Sequence, residues 1–189
     1  MVSPVRGSGS ACCDGQQQSL LGPIMSVDLV KLAEANALLT LWDHPLDACN
    51  RPFGSMSHVL SIEGQPVAVT VAASTVSSTV AGYQRRQVVE LARIARSPEH
   101  PWAMRPMLRL WRADLAQRWA YWPVSAAVSY SLPGTKGDIY RFDGWRFVKH
   151  VKRSSPGKGS TWAKPSASDV IGDGIKGLWI YDYPEEAAA

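Results

Sequence analysis

Ser129 and Tyr130 close the apolar run at 124–130, and Tyr140 follows within Gly-Asp-Ile-Tyr-Arg. Ligands of open sheets gather at strand ends, and a phenol can hold or give a proton there. Each residue also has a plainer role, Ser129 as a small side chain under a helix and Tyr140 as a packed ring. Glu90 and Arg93 lie in another apolar run, where an unpaired charge is costly. Such charges form structural ion pairs with a neighbouring strand or line a site. His44 stands with Asp43 and Asp47 in a proline-containing loop. Imidazole with carboxylate suits iron or zinc, and a solvated loop histidine is the alternative. Arg105, Arg109 and Arg112 form one stripe, placed for phosphate contact by Arg105 or for solvent. Lys152, Arg153, Lys158 and Lys164 surround Trp162 among Gly, Ser and Pro. Such a mix can track the backbone of a nucleic acid and stack a base, or it is simply a basic loop.

The elements that position these residues follow from periodicity. Val88 to Ala95 alternates, with Val89, Leu91 and Arg93 on one face and Glu90, Ala92 and Ile94 on the other, so a strand is expected. Met104, Met107, Leu108, Trp111, Leu115 and Trp119 recur at helical spacing across 103–119, with Pro106 in the first turn. Val124 to Tyr130 reads as a second strand, 134–143 as a short helix and Trp145 to Val151 as a third strand. A strand–helix–strand unit closes into a parallel pair, and the Val, Ala and Ser content of the second strand suits burial on both faces. Upstream, Ser26 to Trp42 reads as a helix capped by Ser26. Ser57 to Ile62 and Val67 to Ala73 flank Glu-Gly-Gln-Pro as a hairpin. Gly177 to Tyr183 reads as the last strand.

A chain of 189 residues, 46% of them hydrophobic, suits one domain with tails. Residues 1–24 read as a disordered tail, 25–184 as the domain and 185–189 as a frayed end, with Met25 resembling a natural start. Three sparse cysteines, Cys12, Cys13 and Cys49, give no disulfide framework and point to a reducing cytoplasm. No apolar run reaches the length of a membrane span. A net charge of +4 permits nucleic-acid contact without demanding it. The sequence leaves the oligomeric state open.

Three pieces carry a resemblance: Glu90-Leu91-Ala92-Arg93-Ile94, then Val128-Ser129-Tyr130, then Gly137-Asp138-Ile139-Tyr140-Arg141 with Gly144-Trp145. In this order and spacing they resemble the GNAT acyltransferase superfamily, and more narrowly its phage Mom-type branch, which modifies bases in DNA. The resemblance implies an α/β (α+β) fold: a mixed central sheet of six to seven strands with helices on both faces. It implies acetyl-CoA or a related acyl donor held by Arg93, Ile94, Ala95 and Arg105. Tyr140 would serve as general acid, with Ser129, Asp138 and His44 as further catalytic residues. It also implies double-stranded DNA as partner, adenine as target and protection from restriction as purpose, with Lys152, Arg153, Lys158, Trp162 and Lys164 contacting DNA. A metal such as iron at His44 stays open. Two departures stand out. Leu132 occupies the place of an Asp that follows Ser-Tyr in that branch, and Ser-Pro-Glu-His-Pro-Trp-Ala-Met-Arg replaces the glycine-rich diphosphate loop of ordinary acetyltransferases. An N-acetyltransferase acting on a small amine or a protein, and a non-catalytic DNA-binding module with the same fold, are the rival readings.

Overall fold

The computed structural model describes residues 24–51, 54–152 and 174–184. In chain order the elements are β1 (Met25–Val30), α1 (Leu32–Leu41), β2 (Ser55–Ile62), β3 (Gln65–Ala73), β4 (Thr79–Val80), β5 (Tyr83–Gln84), β6 (Val88–Arg96), α2 (Met104–Leu110), β7 (Ala126–Tyr130), α3 (Asp138–Arg141), β8 (Arg146–Lys152) and β9 (Ile175–Asp182). Seven strands form one mixed sheet in the order β1-β2-β3-β6-β7-β9-β8, and β4 and β5 make a small separate ribbon. The expected hairpin is β2–β3, closed by Glu63 and Gly64 at φ 49° and 78°. Positive φ at both central residues gives the turn whose twist matches the strands. The expected parallel pair is β6–β7, joined through α2. The last strand, β9, returns between β7 and β8, antiparallel to both.

Helices cover both faces. On one face Met107, Leu108, Trp111 and Leu115 pack on Leu60, Ala68, Ala72, Val89 and Leu91. On the other, Ala35 and Leu39 of α1 pack on Val59, Val69, Val71 and Ala95. Among the described residues no helix is long and apolar enough to cross a membrane.

Two expectations need correction. Residues 26–30 are not the start of a helix but the edge strand β1, paired along its whole length with β2. Only Val27 and Val30 of β1 are even partly covered, three residues apart, and that spacing imitates a helix. The helix begins after Lys31, whose N–H donates to the Glu34 carboxylate at 3.2 Å; Ser26 instead bonds Asp28. The long helix expected over 103–119 is a 3-10 turn (Pro101–Ala103), then α2, then a π turn (Trp111–Leu115) closed by the Ala116 N–H on the Trp111 carbonyl at 2.8 Å. The extra residue in that turn ends the regular spacing before Trp119.

Candidate active site

β6 carries the feature that builds the site. Its register against β3 steps from Ala72↔Leu91 to Val71↔Arg93, so Ala92 is an extra residue, a β-bulge. A bulge bends its strand and moves the following side chains to the other face. Leu91 stays on the α2 face, whereas Arg93 joins Val71 on the α1 face. The simple alternation expected for Val88 to Ala95 therefore breaks at Ala92, and Ile94 packs with the Leu91 core. At the same point β6 parts from β7. Their parallel pairing ends at Leu91↔Ser129, while β6 continues to Arg96.

A cavity of about 360 Å3 fills this fork. His44, Arg93, Ile94, Ser129, Asp138 and Tyr140 all line it. Six of the eight residues expected for catalysis and donor binding are thus brought together. Of the other two, Ala95 is buried against the α1 core and Arg105 lines an adjoining cavity of about 760 Å3 with Trp102, Arg109 and Asp143. Ile139 lines both cavities. Arg153, Lys158, Trp162 and Lys164 lie outside the described residues.

The fork holds an ordered proton chain. Ser129 Oγ lies 3.0 Å from the Leu91 carbonyl and 2.9 Å from Tyr140 Oη. A carbonyl can only accept and a serine has one hydrogen, so Ser129 donates to Leu91 and accepts from Tyr140. Tyr140 is fixed by Trp179, stacked at 5.8 Å, and by Trp145, edge-on at 5.4 Å. Burial, the chief cause, raises its pKa, so the phenol keeps its proton through neutral pH. The ring is aimed by α3, which begins after Gly137 at φ 65°. A Cβ at Gly137 would lie 2.4 Å from the Trp179 ring, so this close approach needs glycine.

His44 and Arg93 tie the loop after α1 to the fork. The Leu46 N–H donates to His44 Nδ1 at 3.1 Å. His44 is held near pKa 4, chiefly by burial and then by the Arg93 charge, with partial opposition from a hydrogen bond to the Ile94 backbone and from Asp47. It is a neutral imidazole at neutral pH. The Arg93 guanidinium donates to the carbonyls of Leu46, Asp47 and Ala92 at 2.9, 3.1 and 2.8 Å. Among the described residues, no group of three His, Cys, Asp or Glu side chains could hold a metal ion. His44 Nδ1 is already occupied by an amide, so the iron or zinc reading lacks a ligand set.

An acyl-thioester donor needs an apolar slot for its arm and donors for its diphosphate. The slot is present, walled by Leu91, Ile94, Met104 and Ile139. The loop after β6 offers few amides, because Pro98 and Pro101 have none and those of Glu99, His100 and Ala103 bond Ser97 and His100. The diphosphate would rest on side chains instead, with Arg105 and Arg109 nearest in the adjoining cavity. Arg109 and Arg112 also clasp Asp143 at 3.5 and 2.8 Å, so part of the arginine stripe fastens α2 to the end of α3.

A third cavity, about 350 Å3, lies against the fork and shares Leu46, Leu91, Ala92, Arg93 and Tyr130 with the first. Glu90 lines it, buried, with Arg51 at 2.6 Å. Burial dominates and raises the Glu90 pKa despite Arg51, Arg93 and Lys176. The ion pair expected of Glu90 is real, but its partner is Arg51 of a distant loop rather than a residue of a neighbouring strand. Nothing in the sequence marks Arg51, which lies 39 residues from Glu90.

The fold matches that of solved acetyltransferases. A GNAT-family acetyltransferase from Streptococcus pneumoniae superposes with TM-score 0.54 at 8% identity, covering 85% of this chain and 100% of the other. An acetyltransferase from Salmonella typhimurium, solved with acetyl-CoA, gives TM-score 0.54 at 12% identity over 85% and 95%. A spermidine N-acetyltransferase variant from Vibrio cholerae gives 0.56 at 7% over 84% and 93%. No family model and no curated protein matches the sequence. The fold is that of the GNAT acetyltransferases.

Proposed function

We propose that this protein is an acyltransferase that moves an acyl group from an acyl-CoA thioester to the amine of a nucleobase, adenine in phage DNA being the acceptor favoured by the Mom-like motifs. The observation that carries the reading is the meeting of two cavities at the fork, with the Tyr140–Ser129 chain on one side and Glu90 on the other. Bound there, the donor supplies an activated carbonyl. The acceptor nitrogen forms the new C–N bond and the C–S bond breaks. Glu90, a carboxylate whose pKa is raised chiefly by burial, suits removal of the amine proton. Tyr140, protonated and with its ring held in place, suits donation to the departing sulfur once its O–H turns from Ser129 Oγ to the thiolate. Asp138 is exposed and bonded to Arg141 at 2.9 Å, which leaves it a rim position.

An N-acetyltransferase of a small amine or protein uses the same fork and is the second reading. The engaged loop amides favour the non-catalytic alternative, and calorimetry with acetyl-CoA and CoA separates it from both enzymes. The deciding experiment is mass spectrometry of nucleosides from DNA of bacteria expressing the full chain. A new nucleoside, absent with Tyr140→Phe, supports base modification and its mass names the group. An unchanged profile from folded, donor-binding protein moves the reading to a small-amine or protein acceptor.

A further inference from the structure

The Tyr140 ring leans on Trp145, and Trp145 in turn is tied to a carboxylate. That carboxylate belongs to Asp143, which follows α3 and whose side chain is only 8% exposed. The amides of Asp143 and Trp145 both donate to the Tyr140 carbonyl, at 3.1 and 3.0 Å, so the three residues are wound together. Gly144 makes the turn between them, at φ 82°. One oxygen, Asp143 Oδ2, accepts from Arg112 Nε at 2.8 Å and from the Trp145 indole N–H at 3.1 Å. Arg112 is itself anchored. Its guanidinium lies 4.4 Å over the Tyr181 ring, and its carbonyl accepts from Tyr183 Oη at 2.8 Å. The carboxylate thus rests on a fixed cation, and hydrogen bonds to an ionised group are the stronger kind. Stacking on Trp111 at 6.3 Å sets the plane of the indole, and the directional N–H bond sets its rotation within that plane. That rotation decides which edge meets Tyr140. Asp143 also lines the arginine cavity, so one carboxylate touches both that cavity and the support of the phenol.

We propose that Asp143 is a positioning residue for proton donation: its carboxylate, held by Arg112, fixes the Trp145 indole and through it the direction of the Tyr140 phenol. This rests on the reading of Tyr140 as proton donor given above and adds the residue that aims it. The phenol must come within hydrogen-bond reach of the departing sulfur, and a misplacement of about 1 Å can cost ~10²-fold in rate. An ion pair that merely fastened α2 to α3 would not involve the indole.

The test has two parts. The first follows the Trp145 Nε1–H and the Tyr140 ring signals of the full chain by NMR, in the parent and in Asp143→Asn. The variant keeps the shape of the side chain and removes its charge. Both sets of signals are expected to move, with the amides of β2 and β3 in place. Tyr140 signals that stay put overturn the proposal, and so does a change spread equally over β2 and β3, which marks a residue of the general packing. Trp145→Phe, which drops the N–H and leaves the Arg112–Asp143 pair, decides the matter if Asp143→Asn does not fold; its Tyr140 signals are likewise expected to move, and unmoved ones overturn the proposal. The second part measures single-turnover transfer from acetyl-CoA to an adenine-containing oligonucleotide. Asp143→Asn is expected to slow transfer about tenfold in the parent and less than twofold in Tyr140→Phe, because contacts that act through one group do not add. Equal fractional losses in the two backgrounds overturn the proposal. If no variant and no parent transfers to the oligonucleotide, the base-modifying reading fails, and the NMR result alone decides whether Asp143 aims the phenol.

Discussion

At the scale of single residues, the hydroxyl chain and the two perturbed acids make separable predictions. Tyr140→Phe removes one oxygen from a packed ring, so the fold should survive. kcat should fall by ~10²-fold or more, the range of general acid catalysis, with little change in KM. Ser129→Ala leaves Tyr140 without its acceptor and frees the Leu91 carbonyl; a loss of about tenfold in kcat is expected, and a greater loss than Tyr140→Phe would contradict the assigned order. Glu90→Gln should abolish the acid limb of the kcat/KM profile, read with Arg51 still present to hold the loop. His44 carries a stability prediction. Its folded pKa of about 4 lies below the unfolded value of 6.5, so the unfolded chain takes the proton first. Stability is full above pH 6.5 and falls as the pH drops toward 4, by about 3 kcal/mol in all at 1.36 kcal/mol per unit. Urea unfolding at pH 7 and pH 5 should show a smaller acid loss in His44→Gln, by roughly 2 kcal/mol. An equal acid loss in both proteins would place the histidine in solvent. The tyrosine and serine were legible in the sequence because they end a strand and follow it closely. The roles of His44 and Arg93 were not, because both are defined by backbone groups that only the folded loop brings near.

At the scale of elements, the fork depends on two local devices. One is the bulge at Ala92, which the sequence hides, since an extra residue looks like one more step of alternation. The strands, the α2 face and the parallel pair were readable from spacing; β1 was not, because an edge strand that buries almost nothing leaves no period of two. The other device is Gly137. Substitution by Ala combines a positive φ with a contact that Trp179 cannot yield without moving Tyr140. A destabilisation of about 2–3 kcal/mol is expected, from strain and overpacking together. Activity should be lost under conditions where the variant is still folded, because α3 aims the phenol. Gly64→Ala, at a turn where nothing lies near the added carbon, serves as the control for strain alone. If both variants lose activity alike, α3 is not the element that positions the proton donor. Releasing the loop is a third local test. Arg93→Ala removes three hydrogen bonds to Leu46, Asp47 and Ala92. Amide exchange at residues 44–51 should rise at least tenfold, with β2 and β3 unchanged.

At the scale of the molecule, the proposed reaction divides its reactants between two cavities. The one proposed for the donor reaches the α2 and α3 side, the one proposed for the acceptor lies beside Glu90, and they adjoin where β6 leaves β7. Such an arrangement lets a large acceptor dock without competing for the donor's slot. It also makes binding electrostatics a property of one face, which the overall charge of +4 only hints at. If the nucleic acid of the proposed function meets this face through Arg51, Lys152 and Lys176, which line the cavity beside Glu90, the salt slope is fixed by their number. Counterion release from duplex DNA gives a slope of about −0.9 per contact, hence about −2.7 for three contacts. Raising salt from 50 to 200 mM should then weaken duplex binding by roughly 40-fold, and single-stranded binding by roughly 20-fold, since the slope per contact is about −0.7 there. Lys152→Ala should flatten the duplex slope by about 0.9 and lower affinity evenly across sequences, as a phosphate contact does and a base contact does not. A slope steeper than three contacts allow would count contributions from residues 153–173, whose removal should return it to the value for three. A slope near zero, or one that Lys152→Ala leaves unchanged, would show that nucleic acid does not meet this face and that the fork serves an acceptor of another kind.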